Sequence, residues 1–117
     1  MLRFGAGFFY TVDYTEDLPA RYGGYTSLWN IRIRPRYRDD KGLLAHEKTH
    51  VRQFWKAPFL HWCRYKKNAA YRLTCEVDAY QVQLKSSPGN EWVYAGFIST
   101  KYNLNISRQA AYALLTE

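Results

Sequence analysis

Residues 45–53 have the sequence AHEKTHVRQ, and its spacing predicts a helix that binds a metal ion. On an α-helix, His46 and His50 lie one turn apart on the same face, so their imidazoles can share one tetrahedral metal. Glu47 projects from a neighbouring angle, where a carboxylate that is not a ligand can accept a proton from metal-bound water. The stretch therefore predicts a His-Glu-x-x-His zinc site with Glu47 as the general base.

The flanking sequence favours a helix from about Asp40 to about Ala57. The pair Asp39-Asp40 offers an N-cap, and Pro58 marks the end of the helix. Between these ends runs an apolar stripe at helical spacing, formed by Leu43, Leu44, Val51 and Phe54. Two other interpretations remain: a solvated helix face that carries two histidines, and a metal site without catalysis.

The composition indicates one folded domain over residues 1–117. Hydrophobic residues make up 47% and aromatic residues 18% of the chain, which argues against disorder. No run is as long as a transmembrane helix, and residues 1–5 do not begin a signal peptide, so we expect a cytoplasmic protein. Cys63 and Cys75 are too few for a disulfide framework and are expected to be reduced thiols. A disulfide between them and zinc ligation by either are the alternatives.

The formal net charge of +7 favours acidic partners: nucleic acid, an anionic membrane or an acidic protein substrate. The basic residues form one cluster in residues 32–38 and another in residues 64–67. These clusters consist of Arg32, Arg34, Arg36 and Arg38, and of Arg64, Lys66 and Lys67. A solvated face is the simpler interpretation of both clusters.

The region before the metal helix predicts a small β element. Residues 7–14 are rich in aromatic and β-branched types, which favour a strand. Residues 28–34 alternate apolar and polar side chains, which predicts a strand whose arginines point away from the core. Pro35 ends this strand or confines it to a sheet edge. Such an edge could hold an extended peptide beside Arg32 and Arg34, and a plain hairpin that covers the helices is the alternative.

The metal requires a third protein ligand, for which the sequence predicts Glu76. A second helix is expected from Asn68, its N-cap, to about Lys85. Past His50 the metal helix continues for about 6 residues, and the return from Asn68 to Glu76 covers a similar height at about 1.5 Å per residue. An antiparallel helix pair therefore brings Glu76 to the level of His50 and leaves the fourth metal position to water. The competing ligands are Asp78, Asp13, His61 and the two cysteines.

The segments on either side of this second helix are also predicted to be helical. Residues 58–67 combine aromatic and basic side chains and favour a short helix begun by a proline, with a membrane-surface patch as the minor alternative. After a turn at residues 86–90, residues 91–103 have helical spacing, and Ser107 caps a final helix through Leu115. We expect the last two helices to close the core, with a helix-turn-helix as the alternative.

The HEKTH motif at residues 46–50, followed by EVDA at residues 76–79, resembles the Glu-zincin (gluzincin) metallopeptidases. It is most similar to their minimal forms in bacteria and phages, whose second motif is Glu-x-x-Ala, and VRQ at residues 51–53 is also similar to that group. The resemblance covers residues 29–84 and rests on two short motifs, of which the first is the specific one.

This resemblance implies an α+β, zincin-like fold, in which a small N-terminal antiparallel β element precedes a mainly helical metal-binding domain. It implies that His46, His50 and Glu76 bind Zn²⁺ and that Glu47 is the catalytic base. The Asn-x-x-Ser-Asp pattern of larger thermolysin-like enzymes is missing. The oxyanion-stabilising residue is not identified, and the candidates by residue type are Tyr65, Tyr71 and Tyr80.

Two classes of function follow from the sequence. The first is a zinc-dependent metallopeptidase that acts on a protein or peptide substrate, in which loss of the Glu47 carboxylate abolishes hydrolysis but not metal binding. The second is a catalytically silent, zinc-stabilised basic module that binds nucleic acid or an acidic protein, with salt-dependent affinity indifferent to Glu47. A membrane-surface protein is a weaker third class.

Overall fold

Four β-strands and five α-helices are present in the part of the chain that the computed structural model describes, residues 2–5 and 8–117. The strands β1 to β4 span Leu2–Gly5, Phe8–Tyr14, Gly24–Ser27 and Asn30–Ile33. A 3₁₀ turn at Pro35–Tyr37 leads to the helices α1 to α5, which span Lys41–Lys56, Pro58–Lys67, Ala69–Ser86, Glu91–Lys101 and Arg108–Leu115. The fold is α+β, as predicted.

The strands form one sheet in the order β1-β2-β4-β3. The outer pairs, β1 with β2 and β3 with β4, are antiparallel, whereas β2 and β4 are parallel. The prediction of a purely antiparallel element is therefore wrong for the central pair. β3 and β4 form a hairpin, and β4 is the inner strand of the two. β4 therefore lies between β2 and β3, and it runs parallel to β2. The predicted strand at residues 7–14 corresponds to β2, except for Gly7, which lies outside the described residues.

The edge strands of this sheet are β1 and β3, not the strand predicted over residues 28–34. That predicted strand contains β4, which is paired on both sides. Pro35 thus ends an internal strand rather than marking an edge. Of the two edges, the one beside the predicted metal helix is Gly24–Ser27, so an extended peptide would pair there and not along residues 28–34.

Alternation along β4 places two isoleucines in the core, as predicted. Ile31 and Ile33 are 0% and 1% exposed, and they pack in a cluster with Val51 of α1. Between them, Arg32 points away from this core and contacts Asp17 through an ion pair of 3.5 Å. The period of two in the sequence therefore determines which face of the strand covers α1.

The second arginine departs from this pattern, because Arg34 is buried. Its guanidinium donates to Glu16 Oε1 at 2.6 Å and to the main-chain carbonyls of Tyr22 and Pro19 at 2.8 and 2.9 Å. Arg34 follows the end of β4. The loop between β2 and β3 folds over its guanidinium and supplies these acceptors. The guanidinium is thus a structural clamp for that loop, and its donors are not free for an acidic partner.

The predicted starts of α1, α3 and α5 are confirmed by the capping contacts. Asp40 Oδ1 accepts from the Leu43 amide at 2.9 Å, so α1 begins one residue after its predicted cap. Asn68 Oδ1 accepts from the Tyr71 amide at 3.0 Å and begins α3. Ser107 likewise accepts from the amide that lies three residues on, at 3.0 Å, at the start of α5. These caps satisfy amides that have no partner within the helix.

The helices α1 and α3 form the antiparallel pair that the third-ligand prediction requires. Near the start of α1, Gly42 approaches Gln83 so closely that a Cβ on the glycine would lie 3.2 Å from Gln83 Cγ. Two turns further along α1, His50 contacts Glu76, which is earlier in α3. The chain of α3 therefore runs opposite to that of α1, and the buried polar side chains lie between the two helices.

The last two helices close a second hydrophobic core against α3. This core is centred on Tyr80 and includes Tyr94, Ile98, Ala111 and Leu115. Packing of α4 and α5 on α3 agrees with the expectation that these helices complete the core.

The two cysteines differ in burial. Cys63 on α2 is exposed and Cys75 on α3 is buried, and both are free thiols, as predicted. Burial raises the pKa of the Cys75 thiol to about 11.

Among residues 2–5 and 8–117, no helix has the length and apolar character needed to cross a membrane.

Candidate metal centre

Three buried side chains from α1 and α3 converge on one point. His46 Nε2 and His50 Nε2 are 3.2 Å apart, as expected for histidines one turn apart on a helix. Glu76 Oε1 lies 3.2 Å from His50 Nε2 and 3.5 Å from His46 Nε2. His46 and Glu76 are 3% and 1% exposed. The structure thus brings together the three side chains that the sequence proposes as ligands.

The triangle formed by these three atoms fits a tetrahedral zinc ion. With metal–ligand bonds of about 2.0–2.1 Å, tetrahedral geometry places any two ligand atoms about 3.3–3.4 Å apart. The three observed separations are 3.2, 3.2 and 3.5 Å. Two neutral imidazoles and one carboxylate are the donor set of an open zinc site, in which the fourth position is left for water or substrate.

Glu47 lies next to this triangle but outside it. Its Oε2 is 3.9 Å from His46 Nε2, and the ligand atoms of His46, Glu47 and His50 all lie within 4.8 Å of one another. The other carboxylate oxygen, Oε1, accepts a hydrogen bond of 2.8 Å from the Thr26 hydroxyl on β3. Glu76 is closer than Glu47 to His46 Nε2, at 3.5 against 3.9 Å, and it also lies 3.2 Å from His50 Nε2. These distances agree with the prediction that Glu76 is the third ligand and that Glu47 is a carboxylate beside the ligands.

The close approach of β3 to Glu47 depends on a glycine. A Cβ on Gly24 would lie 3.1 Å from Glu47 Oε2 and 3.3 Å from Glu47 Cγ. Such contacts are tighter than ordinary van der Waals packing, so a larger residue would displace the carboxylate. Gly24 and Thr26 therefore fix the position of Glu47 from the edge strand of the sheet, one by leaving space and the other by hydrogen bonding.

Two further residues, not predicted from the sequence, hold the ligands. Gln53 Oε1 lies 2.9 Å from His50 Nδ1, and Gln53 Nε2 donates to the Cys75 carbonyl at 3.0 Å. The Tyr65 hydroxyl on α2 donates to Glu76 Oε2. Gln53 could have been inferred, since it lies three residues after His50 on the same helix face. Tyr65 could not, because its contact depends on how α2 folds back on α3.

The charges of the site are set by the contact between Glu76 and the two histidines, which outweighs the effect of burial. Burial alone would raise the pKa of the Glu76 carboxyl, but the adjacent His50 and His46 outweigh it and hold that pKa well below its usual range. Burial lowers the pKa of the His50 imidazole, but the Glu76 carboxylate outweighs it and raises the pKa to about 9. Glu76 is therefore an anion at neutral pH, which is the form that ligates a metal. His50 is protonated at neutral pH without a metal, and metal binding at its Nε2 would have to release that proton.

The competing ligands have other partners. Asp78 Oδ2 accepts from Gln53 Nε2 at 3.2 Å, and Asp13 Oδ2 accepts from the Asn30 amide at 2.9 Å. His61 Nδ1 lies 2.7 Å from the Tyr71 hydroxyl, and burial, reinforced by the charge of His50, lowers the pKa of His61 to about 4. Neither cysteine is hydrogen-bonded to His46, His50 or Glu76 among the described residues. Cys63 is exposed on α2, and Cys75 is buried on α3 with its main-chain carbonyl bonded to Gln53.

The three tyrosines proposed by residue type to stabilise an oxyanion also have hydrogen-bond partners. The Tyr65 hydroxyl donates to Glu76, and the hydroxyls of Tyr80 and Tyr102 lie 2.7 Å apart. The Tyr71 hydroxyl contacts His61. Each of the three candidates thus has a hydrogen-bond partner, and the partner of Tyr65 is the predicted ligand Glu76.

Two cavities open onto the site. The first, of about 290 Å³, is lined by Glu47, His50 and Glu76, by the edge strand β3 and by Trp62 and Lys66 of α2. The second, of about 310 Å³, is lined by His46 and Glu47 and extends toward the N-terminal end of α1, where Gln83 faces it. The first cavity is a cleft between β3 and α2, and Glu47 and the predicted ligands lie along it.

We predict that Tyr65→Phe weakens zinc binding while the fold is retained. Burial raises the pKa of the Tyr65 hydroxyl far above its usual range, with Glu76 as a further cause, so the hydroxyl remains a donor to Glu76. Removing a hydrogen bond to a metal ligand costs roughly 10–100-fold in affinity. Competition with a chromophoric chelator measures the change. Tyr71→Phe is the matched control, and equal affinities of the two variants would contradict the role of Tyr65.

Comparisons with protein-family models, with curated proteins and with solved structures give no match. Three features of the described residues carry the functional information: the ligand triangle, the adjacent carboxylate and the cleft. Each of these is an arrangement of side chains that predicts a particular chemistry.

Proposed function

We propose that this chain is a zinc-dependent metallopeptidase with a minimal zincin-like fold. The observation that carries the proposal is the triangle of His46 Nε2, His50 Nε2 and Glu76 Oε1, with sides of 3.2–3.5 Å, beside the Glu47 carboxylate. A structural zinc site is closed by four protein ligands, whereas this donor set provides three and a neighbouring base in a cleft. That difference favours catalysis over a purely structural metal.

The mechanism assigns distinct tasks to the residues. Bound zinc supplies Lewis-acid chemistry, which acidifies water and polarises a carbonyl group. Glu47 Oε2 takes a proton from the attacking water and later delivers it to the leaving amine of the peptide bond. Thr26 holds the other oxygen of Glu47, at 2.8 Å, so that one oxygen remains directed toward the ligands. Glu76 and the two histidines would hold the metal.

The position of β3 favours a peptide as substrate. Within the described residues β3 pairs only with β4, and residues 24–28 line the cleft. An extended peptide can therefore continue the sheet along this edge and place one of its carbonyl groups near Glu47. Since β-augmentation uses main-chain hydrogen bonds, affinity for the backbone requires no particular side chain.

The test is hydrolysis of a peptide library by the zinc-loaded protein, with new termini identified by mass spectrometry. We expect cleavage that stops when a chelator removes zinc and returns when zinc is restored. Cleavage that persists in full after verified removal of zinc would contradict a metallopeptidase. Absence of cleavage by a protein that binds one zinc per chain would favour the catalytically silent module.

The rim of the cleft predicts a preference for large apolar side chains. Several large apolar residues at its two sides are exposed, among them Tyr25 and Leu28 by β3 and Trp62 on α2, at 39%, 42% and 49%. We expect Trp62→Ala to weaken binding of a fluorescent, extended Phe- and Leu-containing peptide by about tenfold, because the peptide loses buried apolar contact. Fluorescence anisotropy measures this loss. Trp92, 45% exposed and absent from the cleft lining, provides the control Trp92→Ala, and an equal loss in both variants would contradict the assignment.

A further inference from the structure

Two buried side-chain atoms have no hydrogen-bond partner among the described residues: His46 Nδ1 and Gln83 Oε1. Buried polar atoms without partners are rare in folded proteins, and each one calls for a specific explanation. Gln83 is 7% and His46 is 3% exposed, so neither atom can be satisfied by bulk solvent. The two atoms are complementary, because a glutamine oxygen accepts a hydrogen bond and an imidazole N–H donates one.

Both residues line the second cavity, near the N-terminal end of α1. Gly42 lies one turn before His46, and Gln83 Cγ is 3.2 Å from where a Cβ on Gly42 would be. Side chains on a helix lean toward its N-terminus, so the His46 ring extends from its own position toward the level of Gln83. The cavity that both side chains line has a volume of about 310 Å³, which is large enough to hold water.

Metal binding decides which atom of His46 carries the proton. If Nε2 is the ligand, as its distances to His50 and Glu76 indicate, the proton resides on Nδ1. A ligating histidine almost always donates this second N–H to an acceptor, which fixes the ring and strengthens the ligand. His50 already has such a partner, since its Nδ1 lies 2.9 Å from Gln53 Oε1.

We propose that Gln83 is the corresponding positioning residue for His46, and that its Oε1 accepts the Nδ1 proton through one bridging water. The proposal rests on the zinc site proposed above. Each of the two histidines then has its own glutamine: Gln53 in direct contact and Gln83 through water. A bridging water is the arrangement expected where two buried polar atoms face a shared cavity without touching.

The experiment compares zinc affinities of the wild type, Gln83→Leu and Gln83→Glu, measured by competition with a chromophoric chelator. We expect Gln83→Leu to weaken binding roughly 10–100-fold, since a partner of a ligand is lost. Gln83→Glu keeps an acceptor oxygen and is expected to bind at least as tightly as the wild type. Gln81→Leu, on the same helix but bonded to the Leu114 carbonyl, is the control and should bind like the wild type.

A second measurement keeps the proposal testable if Gln83→Leu fails to fold. In the zinc-loaded wild type, nitrogen-15 NMR of the imidazoles should show a proton on His46 Nδ1 that exchanges slowly and has a water contact. A His46 Nδ1 that carries no proton would overturn the proposal, as would Gln83→Leu with wild-type affinity or Gln83→Glu as weak as Gln83→Leu. A wild type that binds no zinc would overturn the zinc site itself, and with it this proposal.

Discussion

Glu47→Gln is expected to lower the rate of peptide hydrolysis by roughly 10²–10⁴-fold, the usual contribution of a general base. Glutamine has nearly the same shape and can still accept from the Thr26 hydroxyl, which lies 2.8 Å from Glu47 Oε1. It cannot take a proton from water. Because Glu47 lies outside the ligand triangle, its replacement should leave one zinc per chain in place.

The measurement is kcat/KM for a peptide that the wild type cleaves, together with zinc content and the thermal unfolding midpoint of both proteins. Unchanged zinc content and stability with lost hydrolysis would place Glu47 at the chemical step. Full activity in Glu47→Gln would contradict its role as base. The silent basic module, in contrast, predicts salt-dependent binding of an acidic partner that is the same in both proteins.

Glu76→Gln is expected to reduce zinc affinity by at least about 100-fold, more than the loss of a partner outside the ligand set. The variant removes the anionic ligand that lies 3.2 and 3.5 Å from the two imidazoles. It keeps the volume of the side chain, which matters because Glu76 is 1% exposed and packed between helices. Two neutral histidines then remain, which is too few ligands for a stable zinc site.

Isothermal titration of the apo-protein with zinc measures this loss. Glu91→Gln, which removes a carboxylate from the first turn of α4, is the matched control and should bind zinc like the wild type. Wild-type affinity in Glu76→Gln would show that the third ligand is another residue. Glu47 would then be the first alternative, since its carboxylate is the next closest to His46.

The helices and the relative positions of the three predicted ligands could be predicted from the sequence, because helix geometry is regular. A helix has a fixed rise and a fixed angle per residue, so spacing along the chain becomes position in space. The four-residue step from His46 to His50 follows from this rule. Glu76 meets His50 because the two residues lie at similar heights on the antiparallel helices α1 and α3. Local capping residues such as Asp40 and Asn68 then set where each helix begins.

The sheet and the supporting contacts could not be predicted, because they depend on pairing between distant segments. Strand order follows from how the β3–β4 hairpin folds, and no local pattern shows that β4 inserts beside β2. Burial of Arg34 depends on acceptors supplied by the loop before β3. In the same way, Thr26 and Tyr65 reach the site only because β3 and α2 pack on either side of it.

The most direct test of the account is the crystal structure of the zinc-loaded protein, with anomalous differences recorded on both sides of the zinc absorption edge. We expect one peak per chain, bonded to His46 Nε2, His50 Nε2 and a Glu76 carboxylate oxygen at about 2.0–2.2 Å, with one position open to the cleft. A peak ligated by other residues, or a protein that excludes zinc from this site, would contradict the central claim.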